Sequence, residues 1–407
     1  MSLTEHLDLR GGEPCWHDVA ARALAADPVP VTSEIVVVGA GVTGAMVAWM
    51  LAKAGRQVTI LDRRTPATGS IAASTALVMW AADTPLTHLE RMRGPERGRR
   101  AWQRVHRAVR DLDEAVRAER IACHWRARPE LYLAGTMLDA EGLQREAAAR
   151  VSAGLPSSFL PAGEVAGRFG LPPRAALLSD HCYSVDPVAL ALGFLAAAQS
   201  LGAALCFPAS VEALAHWPDC IAISTDEGAT IKAGTVILAT GYEAPRLYLP
   251  EAFALGSSFA IATPAGTAPA NGAMPMLWEA SNPYLYARAT LDGRVIVGGE
   301  DLNGADPKAR DALLPSKRGR LAALGGAMLG REPLALDCAW SATFGRSPDG
   351  LPAIGRARNG ERVWLASGFG GNGISFAFLG AQLIASELAG QTDQDAGLFS
   401  PYRFNSR

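Results

Sequence analysis

The feature that most constrains the fold is a glycine-rich turn between a predicted strand and a predicted helix. Residues 34–39 (EIVVVG) are typical of a buried parallel strand, and Gly39-Ala-Gly41-Val-Thr-Gly44 completes a GxGxxG pattern there. This spacing allows a tight turn and a close approach of the backbone to a pyrophosphate. A helix is predicted over 41–54 and a second strand over 57–61, and Asp62 follows where a carboxylate can bind a ribose. The sequence therefore predicts a βαβ unit that binds a dinucleotide.

Two later segments repeat the order of buried strand and glycine turn. Residues 235–239 (TVILA) precede Thr240-Gly241, and a strand over 363–366 precedes a glycine loop and a further predicted helix. The intervening stretches 91–154 and 248–334 differ in character. At 407 residues the chain exceeds what one hydrophobic core usually supports. We therefore predict an α/β fold, with a Rossmann-type dinucleotide-binding domain and an inserted α+β substrate domain that is partly antiparallel.

The predicted boundaries follow from these changes in character. They are an N-terminal arm (1–30), a dinucleotide-binding domain in three pieces (31–90, 155–247 and 335–395), a substrate domain in two pieces (91–154 and 248–334) and a C-terminal tail (396–407).

The charge distribution argues against a nucleic-acid partner. The chain has 38 basic and 40 acidic residues, whereas nucleic-acid binding favours a marked basic excess. One stretch is rich in arginine, but apolar residues recur there at helical spacing, so we expect a helix with one buried stripe and its arginines on the solvated face. The arginines are Arg91, Arg93, Arg97, Arg99, Arg100, Arg104, Arg107 and Arg110, and the stripe is Trp102, Val105, Val109, Leu112 and Val116.

Cysteine usage and hydropathy favour a cytoplasmic protein. The six cysteines lie far apart in the sequence without a CxxC pair, which indicates reduced thiols and no metal site. The first ten residues lack the pattern of a signal peptide. Residues 188–206 are uncharged, but we interpret them as a buried helix followed by a strand near Ala204, not as a membrane span. The sequence does not predict the oligomeric state.

Three segments favour FAD over NAD as the dinucleotide. A run of small residues over 69–77 is suited to wrap a pyrophosphate and to lie against a flat ring. Thr240-Gly241 fits a chain that passes close under a dinucleotide. The loop Gly368–Gly373 leaves free N–H groups at a helix N-terminus, which would stabilise the negative charge of a reduced flavin. Arg63 and Arg64 indicate either a 2′-phosphate site or surface charges.

Together these segments resemble the D-amino-acid oxidase family of FAD enzymes, the group with glycine, sarcosine and gamma-glutamylputrescine oxidases. The resemblance covers nearly the whole chain. It rests on residues 38–44, 69–76, 238–241, 344–355 and 368–373. It implies an extended FAD, with the adenine end near Asp62 and Val211 and the ring near Ser74, Thr75 and residues 370–374. The cofactor-binding residues we expect are Gly39, Gly41, Val42, Thr43, Gly44, Asp62, Arg63, Ser70, Ala73, Ser74, Thr75, Val211, Thr240, Gly241, Gly345, Gly370, Gly371, Asn372, Gly373 and Ile374.

The resemblance also bears on how FAD is attached. Family members that tether the flavin covalently have a cysteine about seven residues before the aspartate that corresponds to Asp349. Ala342 occupies that neighbourhood here, and Cys338 is out of register. Non-covalent FAD is expected.

The expected reaction is oxidation of the C–N bond of an amino acid or secondary amine. A hydride moves to flavin N5, water hydrolyses the resulting imine, and O2 or another carrier takes the electrons. Two alternatives remain: an NAD(P)-dependent dehydrogenase, and a non-catalytic FAD-binding subunit of an amine dehydrogenase complex.

A carboxylate substrate requires a fixed cation, for which arginine offers a planar fork. Arg288 is the first candidate, because strand alternation places it on one face with Tyr284 and Tyr286. Arg346 is the second candidate. Arg126 and Arg128 come third, and an ordinary surface arginine remains the alternative for each.

Overall fold

The computed structural model describes residues 3–16, 24–243, 245–269, 274–367 and 370–404. Gly368 and Phe369, which belong to the predicted glycine loop, lie outside the described residues.

The strands, in chain order, are β1 (Arg10–Gly12), β2 (Thr32–Val38), β3 (Val58–Leu61), β4 (Leu77–Val78), β5 (Arg126–Ala127), β6 (Glu130–Leu133), β7 (Ser157–Leu160), β8 (Ala176–Ser179), β9 (Tyr183–Ser184), β10 (Ala204–Cys206), β11 (Val211–His216), β12 (Ile221–Thr225), β13 (Thr230–Leu238), β14 (Ala254–Ala262), β15 (Met276–Glu279), β16 (Leu285–Ala289), β17 (Val295–Asn303), β18 (Cys338–Arg346), β19 (Ala353–Arg356) and β20 (Val363–Ser367). The α-helices are α1 (Val42–Lys53), α2 (Leu86–Arg93), α3 (Pro95–Ala118), α4 (Ala140–Ser152), α5 (Ala162–Phe169), α6 (Pro187–Ser200), α7 (Pro307–Met328) and α8 (Gly373–Leu388). Short 3₁₀ helices span Ser70–Ala73 and Ala396–Phe399.

The predicted βαβ unit forms the centre of one mixed sheet. Strands β10, β3, β2, β13 and β20 are mutually parallel neighbours, and β12, β11 and β19 extend the sheet in antiparallel pairs. Helix α1 packs against α6 and α8. Because the parallel strands end at one edge, the turns after β2 and β13 and the start of α8 come together there.

A second sheet has nine strands within the described residues, in the order β1-β18-β14-β17-β16-β15-β6-β8-β7. Its pairs are antiparallel except for β15 and β6. Helix α7 packs on β14, β17 and β18. Strands β4, β9 and β5 form a small third sheet. This mixture of parallel and antiparallel sheets confirms the predicted fold class.

Sheet membership does not follow the predicted domain boundaries. Strand β1, from the predicted arm, joins the nine-stranded sheet. Strands β7, β8 and β18, from pieces assigned to dinucleotide binding, also lie there. Strands that are distant in sequence pair to form each sheet, and local composition does not indicate which strands will pair. The division into domains stays a prediction.

The arginine-rich stretch forms the end of α2, which contains Arg91 and Arg93, and most of α3, whose predicted apolar stripe is buried. The prediction that its arginines all occupy a solvated face is wrong for Arg104, which is 5% exposed. Arg104 bonds to Asp393 at 3.1 Å and to Gln382 of α8 at 2.8 Å. This pairing satisfies the charge inside the protein, so α3 docks onto α8 through polar as well as apolar contacts.

The uncharged run 188–206 forms α6 and β10, as predicted. Asp186 begins the helix by accepting hydrogen bonds from the N–H groups of Val188 and Ala189. Among the described residues, no helix is long and apolar enough to cross a membrane.

Candidate active site

The three glycines of the first turn have different structural requirements. Gly39 has φ +113°, and a Cβ there would lie 2.4 Å from the Ala239 carbonyl oxygen. A Cβ at Gly44 would lie 1.7 Å from the Gly39 carbonyl oxygen, so α1 packs on β2 only without a side chain there. A Cβ at Gly41 would meet nothing within 4 Å, because this glycine faces a large cavity that Val42 and Thr43 also line. The open space is where a pyrophosphate would approach the backbone.

Asp62 lies at the same end of this cavity. Its carboxylate accepts hydrogen bonds from the backbone N–H groups of Ala40, at 2.6 Å, and Arg64, at 2.8 Å. Burial raises the pKa of Asp62 above its ordinary value. Asp62 thus fixes the first turn relative to the end of β3 as well as facing the place expected for a ribose.

Arg63 and Arg64 are neither free for a 2′-phosphate nor simple surface charges. Both form ion pairs with Glu243, which is 5% exposed. Although burial alone would raise the pKa of Glu243, hydrogen bonds from Arg64 and Arg63 hold it below its ordinary value. Arg63, Arg64 and Glu243 all line the cavity, so the charges near Asp62 largely compensate one another.

The small-residue segment is held from behind by three side chains of distant origin. The indole N–H of Trp340 donates to the Ala73 carbonyl oxygen, and that of Trp16 donates to the Ser74 carbonyl oxygen, both at 2.9 Å. Arg288 Nε donates to the carbonyl oxygen of Thr75. With these three successive carbonyls fixed, Ser70, Ala73, Ser74 and Thr75 line the cavity. The segment is thus a fixed cavity wall.

The turn after β13 and the start of α8 complete the cofactor end of the cavity. Thr240, Gly241 and residues 370–374 line it. Thr240 Oγ1 is buried without a hydrogen-bond partner among the described residues. Asn372, at the N-cap of α8, makes no side-chain capping bond. An uncapped helix N-terminus and an unpaired hydroxyl fit a ligand with phosphate and carbonyl oxygens.

The cavity wall next to the start of α8 is lined by aromatic and polar side chains. Tyr286, Trp278 and Ser258 come from the nine-stranded sheet, Tyr284 directly precedes β16, and Asp83 comes from the loop before α2. The two tyrosine rings have centroids 5.9 Å apart. Burial raises the pKa of Tyr286 to about 12 and that of Asp83 to about 6. We call these five residues the ring end.

Asp83 also contacts the glycine loop directly. Its Oδ2 accepts a hydrogen bond from the Gly371 N–H at 2.9 Å, and its Oδ1 accepts one from Asn372 Nδ2 at 3.3 Å. A Cβ at Gly370 would lie 2.5 Å from Asp83 Oδ2. The described glycines of this loop thus allow a carboxylate to lie against the backbone just before α8.

None of the candidate arginines lines the cavity. Arg288 is 2% exposed, and besides Thr75 it donates to the carbonyl oxygens of Val185, at 2.7 Å, and Ala289, at 3.3 Å. Arg346 donates to the Leu302 carbonyl oxygen at 3.0 Å. Backbone carbonyls thus hold Arg288, whereas only Nη2 of Arg346 is bonded among the described residues, to Leu302 and Asn303. The carboxylate clamp stays a prediction.

The remaining candidates differ in position. Arg126 is exposed on β5 and Arg128 is half-buried beyond it. Val211 lines the cavity, whereas Gly44 and Gly345 lie behind its wall. The Gly345 N–H bonds to the phenol of Tyr242, a cavity residue.

Among the described residues, no cysteine lines the cavity. Ala342, at the position where the resemblance places a tethering cysteine, lines the cavity. Cys338 is 6% exposed and lies instead in a buried cluster with Cys15, whose hydrogen bond lowers the pKa of the Cys338 thiol. Non-covalent attachment stays a prediction, which release of intact FAD by acid or heat would confirm.

The comparison with known families decides between the dinucleotides. The family described as "DAO: FAD dependent oxidoreductase" matches residues 34–387. The chain belongs to the DAO family. This DAO-family protein is an FAD-dependent oxidoreductase, which excludes the NAD(P)-dependent alternative. The cavity fits the assignment, because open space at Gly41 and unpaired groups at Thr240 and α8 match what FAD presents.

Two curated proteins are similar in sequence to this chain, one over most of its length and one over a short segment. The uncharacterized oxidoreductase YurR of Bacillus subtilis (strain 168) is 25% identical over 386 residues, covering 90% of this chain and 98% of the relative. The tRNA 5-methylaminomethyl-2-thiouridine biosynthesis bifunctional protein MnmC of Polaromonas naphthalenivorans (strain CJ2) is 40% identical over 52 residues, which span 13% of this DAO-family chain and only 8% of that protein.

Two solved structures share the fold over most of both chains. L-proline dehydrogenase from P. horikoshii has a TM-score of 0.75 at 22% identity and covers 93% of this chain and 99% of its own. Glycine oxidase from Geobacillus kaustophilus has a TM-score of 0.74 at 21% identity and covers 90% of this chain and 96% of its own.

Sequence reasoning missed several residues of the site. Trp16 and Trp340 are far in sequence from the segment that they hold, and Glu243 is far from the arginines that it pairs with. Asp83 had no motif around it. Only the position of Glu243, two residues after Gly241, gave a local hint, since residues after a strand end line the same edge.

Proposed function

We propose that this DAO-family protein oxidises the C–N bond of a small amine or amino acid. The observation that carries the proposal is that one cavity extends from Asp62 and Gly41 to the ring end, where the nine-stranded sheet supplies the opposite wall. The solved structures of similar fold include an L-proline dehydrogenase and a glycine oxidase, both named for amino acids.

The residues of this chain would hold and orient the reactants. FAD, when bound, would supply the acceptor for the hydride that leaves the carbon next to nitrogen, and this hydride carries both electrons. Residues 70–75 and the start of α8 would support the flavin ring, and the N-terminus of α8 would stabilise negative charge that develops there. Tyr284, Tyr286 and Trp278 would exclude water and hold the substrate at the ring end. Water then hydrolyses the released imine.

Anaerobic mixing of the purified holoenzyme with a panel of amines and amino acids tests the proposal. The expected result is loss of the oxidised-flavin absorbance with at least one compound, together with formation of the matching carbonyl product. Recovery of the absorbance in air would identify O2 as an acceptor.

The control is chemical reduction of the same sample, which shows that the flavin responds. If the chemical reductant bleaches the flavin and no amine or amino acid does, the proposal is wrong. A non-catalytic FAD-binding subunit then becomes the favoured alternative, and co-purifying partners would support it. Bleaching by an alcohol such as a glycerophosphate, without any amine, would indicate C–O oxidation instead.

A further inference from the structure

The ring end contains acidic groups where an amino-acid substrate would require a cation. Among the described residues that line the cavity, Arg63 and Arg64 are the cationic ones, and both are paired with Glu243 at the opposite end. The charged side chain that lines the ring end is Asp83. A substrate carboxylate placed at the ring end would lie beside the like charge of Asp83. Among the described residues, no cationic side chain lines that part of the cavity.

A second carboxylate, Asp301 of β17, lies just behind this wall. Ser258 and Tyr284, both cavity residues, hydrogen-bond to it, although burial still raises the pKa of Asp301. Its Oδ1 is buried and has no hydrogen-bond partner among the described residues. Burial raises the pKa of Tyr284, and Asp301 and Asp83 raise it further. Two carboxyl groups therefore act on one part of the cavity.

The nearby cations compensate these carboxyl groups only in part. Arg346 is close enough to lower the pKa of both Asp83 and Asp301. Its guanidinium nevertheless bonds to the Leu302 carbonyl oxygen and to Asn303 Oδ1. Lys317 also lowers the pKa of Asp301 but pairs with Glu300 at 3.0 Å. Arg320 also pairs with Glu300 at 3.0 Å. Within the part of the chain that the structure describes, neither Asp83 nor Asp301 forms an ion pair within 4 Å.

The aromatic side chains of the ring end also favour a cationic group. Trp278, Tyr284 and Tyr286 surround the space beside Asp83, and the negative faces of aromatic rings attract ammonium groups. Hydrogen bonding to an ionised partner strengthens such a contact.

We propose, on the basis of the proposed function, that the substrate is an amine with a second positive charge, of the diamine class, and that Asp83 binds its non-reacting ammonium group. The reacting C–N bond becomes C=N. The carbon loses a hydride, whose two electrons reduce oxidised FAD, and the nitrogen loses its proton to water. The ammonium group held by Asp83 takes no part in the bond changes.

The test compares a chain-matched series on the holoenzyme. The series is an N-methylated diamine, the N-methylated monoamine of equal length, and the N-methylated amino acid with a carboxylate in place of the second ammonium. The expected result is half-saturation of anaerobic flavin reduction at a concentration about tenfold or more lower for the diamine than for the monoamine. The amino acid should be the poorest of the three. A lowest half-saturation concentration for the amino acid would overturn the inference.

Variants locate the contact. Asp83→Asn should raise the half-saturation concentration for the diamine by about tenfold or more and change that for the monoamine little. Asp301→Asn leaves the contacts of the glycine loop unchanged. It should also raise the half-saturation concentration for the diamine, but by less than Asp83→Asn does. The exposed Asp219 provides the control, and Asp219→Asn should change neither value. If Asp83→Asn raised the half-saturation concentrations of the diamine and the monoamine equally, at equal FAD content, Asp83 would only support the glycine loop. That result would overturn the inference.

Failure of the proposed function gives a separate result. If no compound reduces the flavin, binding is read from perturbation of the oxidised-flavin spectrum by a bis-trimethylammonium alkane and by a dicarboxylate of equal length. Tighter binding of the dication, lost in Asp83→Asn, would support the charge assignment without turnover. Tighter binding of the dicarboxylate would overturn it.

Discussion

Three consecutive carbonyl groups show how single side chains build the cofactor wall. Trp340, Trp16 and Arg288 each donate to one of the carbonyls of residues 73–75. Arg288 is held in turn by the carbonyls of Val185 and Ala289. A buried guanidinium bonded to three backbone carbonyls in this way stabilises the segments that carry them.

At this scale we predict that Arg288→Lys harms the fold before it harms substrate recognition. Lysine keeps the charge but cannot bond to three separated carbonyls, so the free energy of unfolding should fall by about 2 to 4 kcal/mol. Chemical denaturation measures this change. Arg331→Lys is the control, because Arg331 is exposed and bonds to one carbonyl, that of Thr267. Unchanged stability with a higher KM for a carboxylate substrate would instead make Arg288 a ligand.

Asp62 leads to a second prediction at the residue scale. Its proposed bond to the adenosine ribose is charge-assisted, so Asp62→Ala should weaken FAD binding about tenfold or more. Titration of the FAD-free protein with FAD measures the affinity. The unfolding midpoint of that FAD-free protein must be followed in parallel, because Asp62 also accepts the N–H groups of Ala40 and Arg64. Unaltered affinity would show that the ribose lies elsewhere.

At the scale of elements, different glycines of the turn between β2 and α1 serve the fold and the ligand. Gly39 and Gly44 are required by the backbone around them, whereas Gly41 faces open cavity. The backbone at Gly41, with φ −78° and ψ −174°, is one that alanine adopts freely. The same turn therefore contains glycines that serve the fold and one that serves the ligand.

We predict that Gly41→Ala folds normally and fails to bind FAD well. Its methyl group would occupy space that the pyrophosphate needs, while the unfolding midpoint of the FAD-free protein stays the same or rises. Gly163→Ala in α5 is the matched control, since a Cβ there also meets nothing within 4 Å. That control should retain full FAD affinity. Loss of stability in Gly41→Ala without loss of affinity would refute the placement.

The elements that the sequence predicted well are those whose signals are local. Buried β-branched runs and glycine spacing indicated β2, α1, β3 and the start of α8, because strand, turn and helix follow one another directly. The ring end was not predictable in this way. Alternation predicts Tyr284, Tyr286 and Arg288 on one face, but it does not tell which end of a strand reaches a cavity. The two tyrosines line the cavity and Arg288 does not. Long-range pairing of β14, β16 and β17 decides that.

At the scale of the whole molecule, the cavity lies where two sheets meet, and buried charged side chains lie around it. Asp83 packs against the start of α8, and burial raises its pKa from 3.8 to about 6. A folded-state pKa above the unfolded value means that the unfolded chain releases its proton first as the pH rises. The contribution of Asp83 to stability therefore decreases between about pH 4 and pH 6 and stays unfavourable above.

Asp83→Asn should consequently stabilise the FAD-free protein at pH 8 by an amount on the order of 2 kcal/mol. The gain should vanish as the pH approaches 4, where the wild-type carboxyl is protonated in both states. Denaturation curves of the two proteins at several pH values measure the difference. A gain independent of pH would show that the charge of Asp83 is not its cause.

The indole groups that surround the cavity have an optical consequence. Trp16 and Trp340 hold the wall, and Trp278 lies inside it. Indole emission overlaps the near-ultraviolet absorption of oxidised flavin, and energy transfer over such short separations is efficient. We therefore expect bound FAD to quench the intrinsic tryptophan fluorescence, so that this fluorescence would report cofactor loading without an added dye.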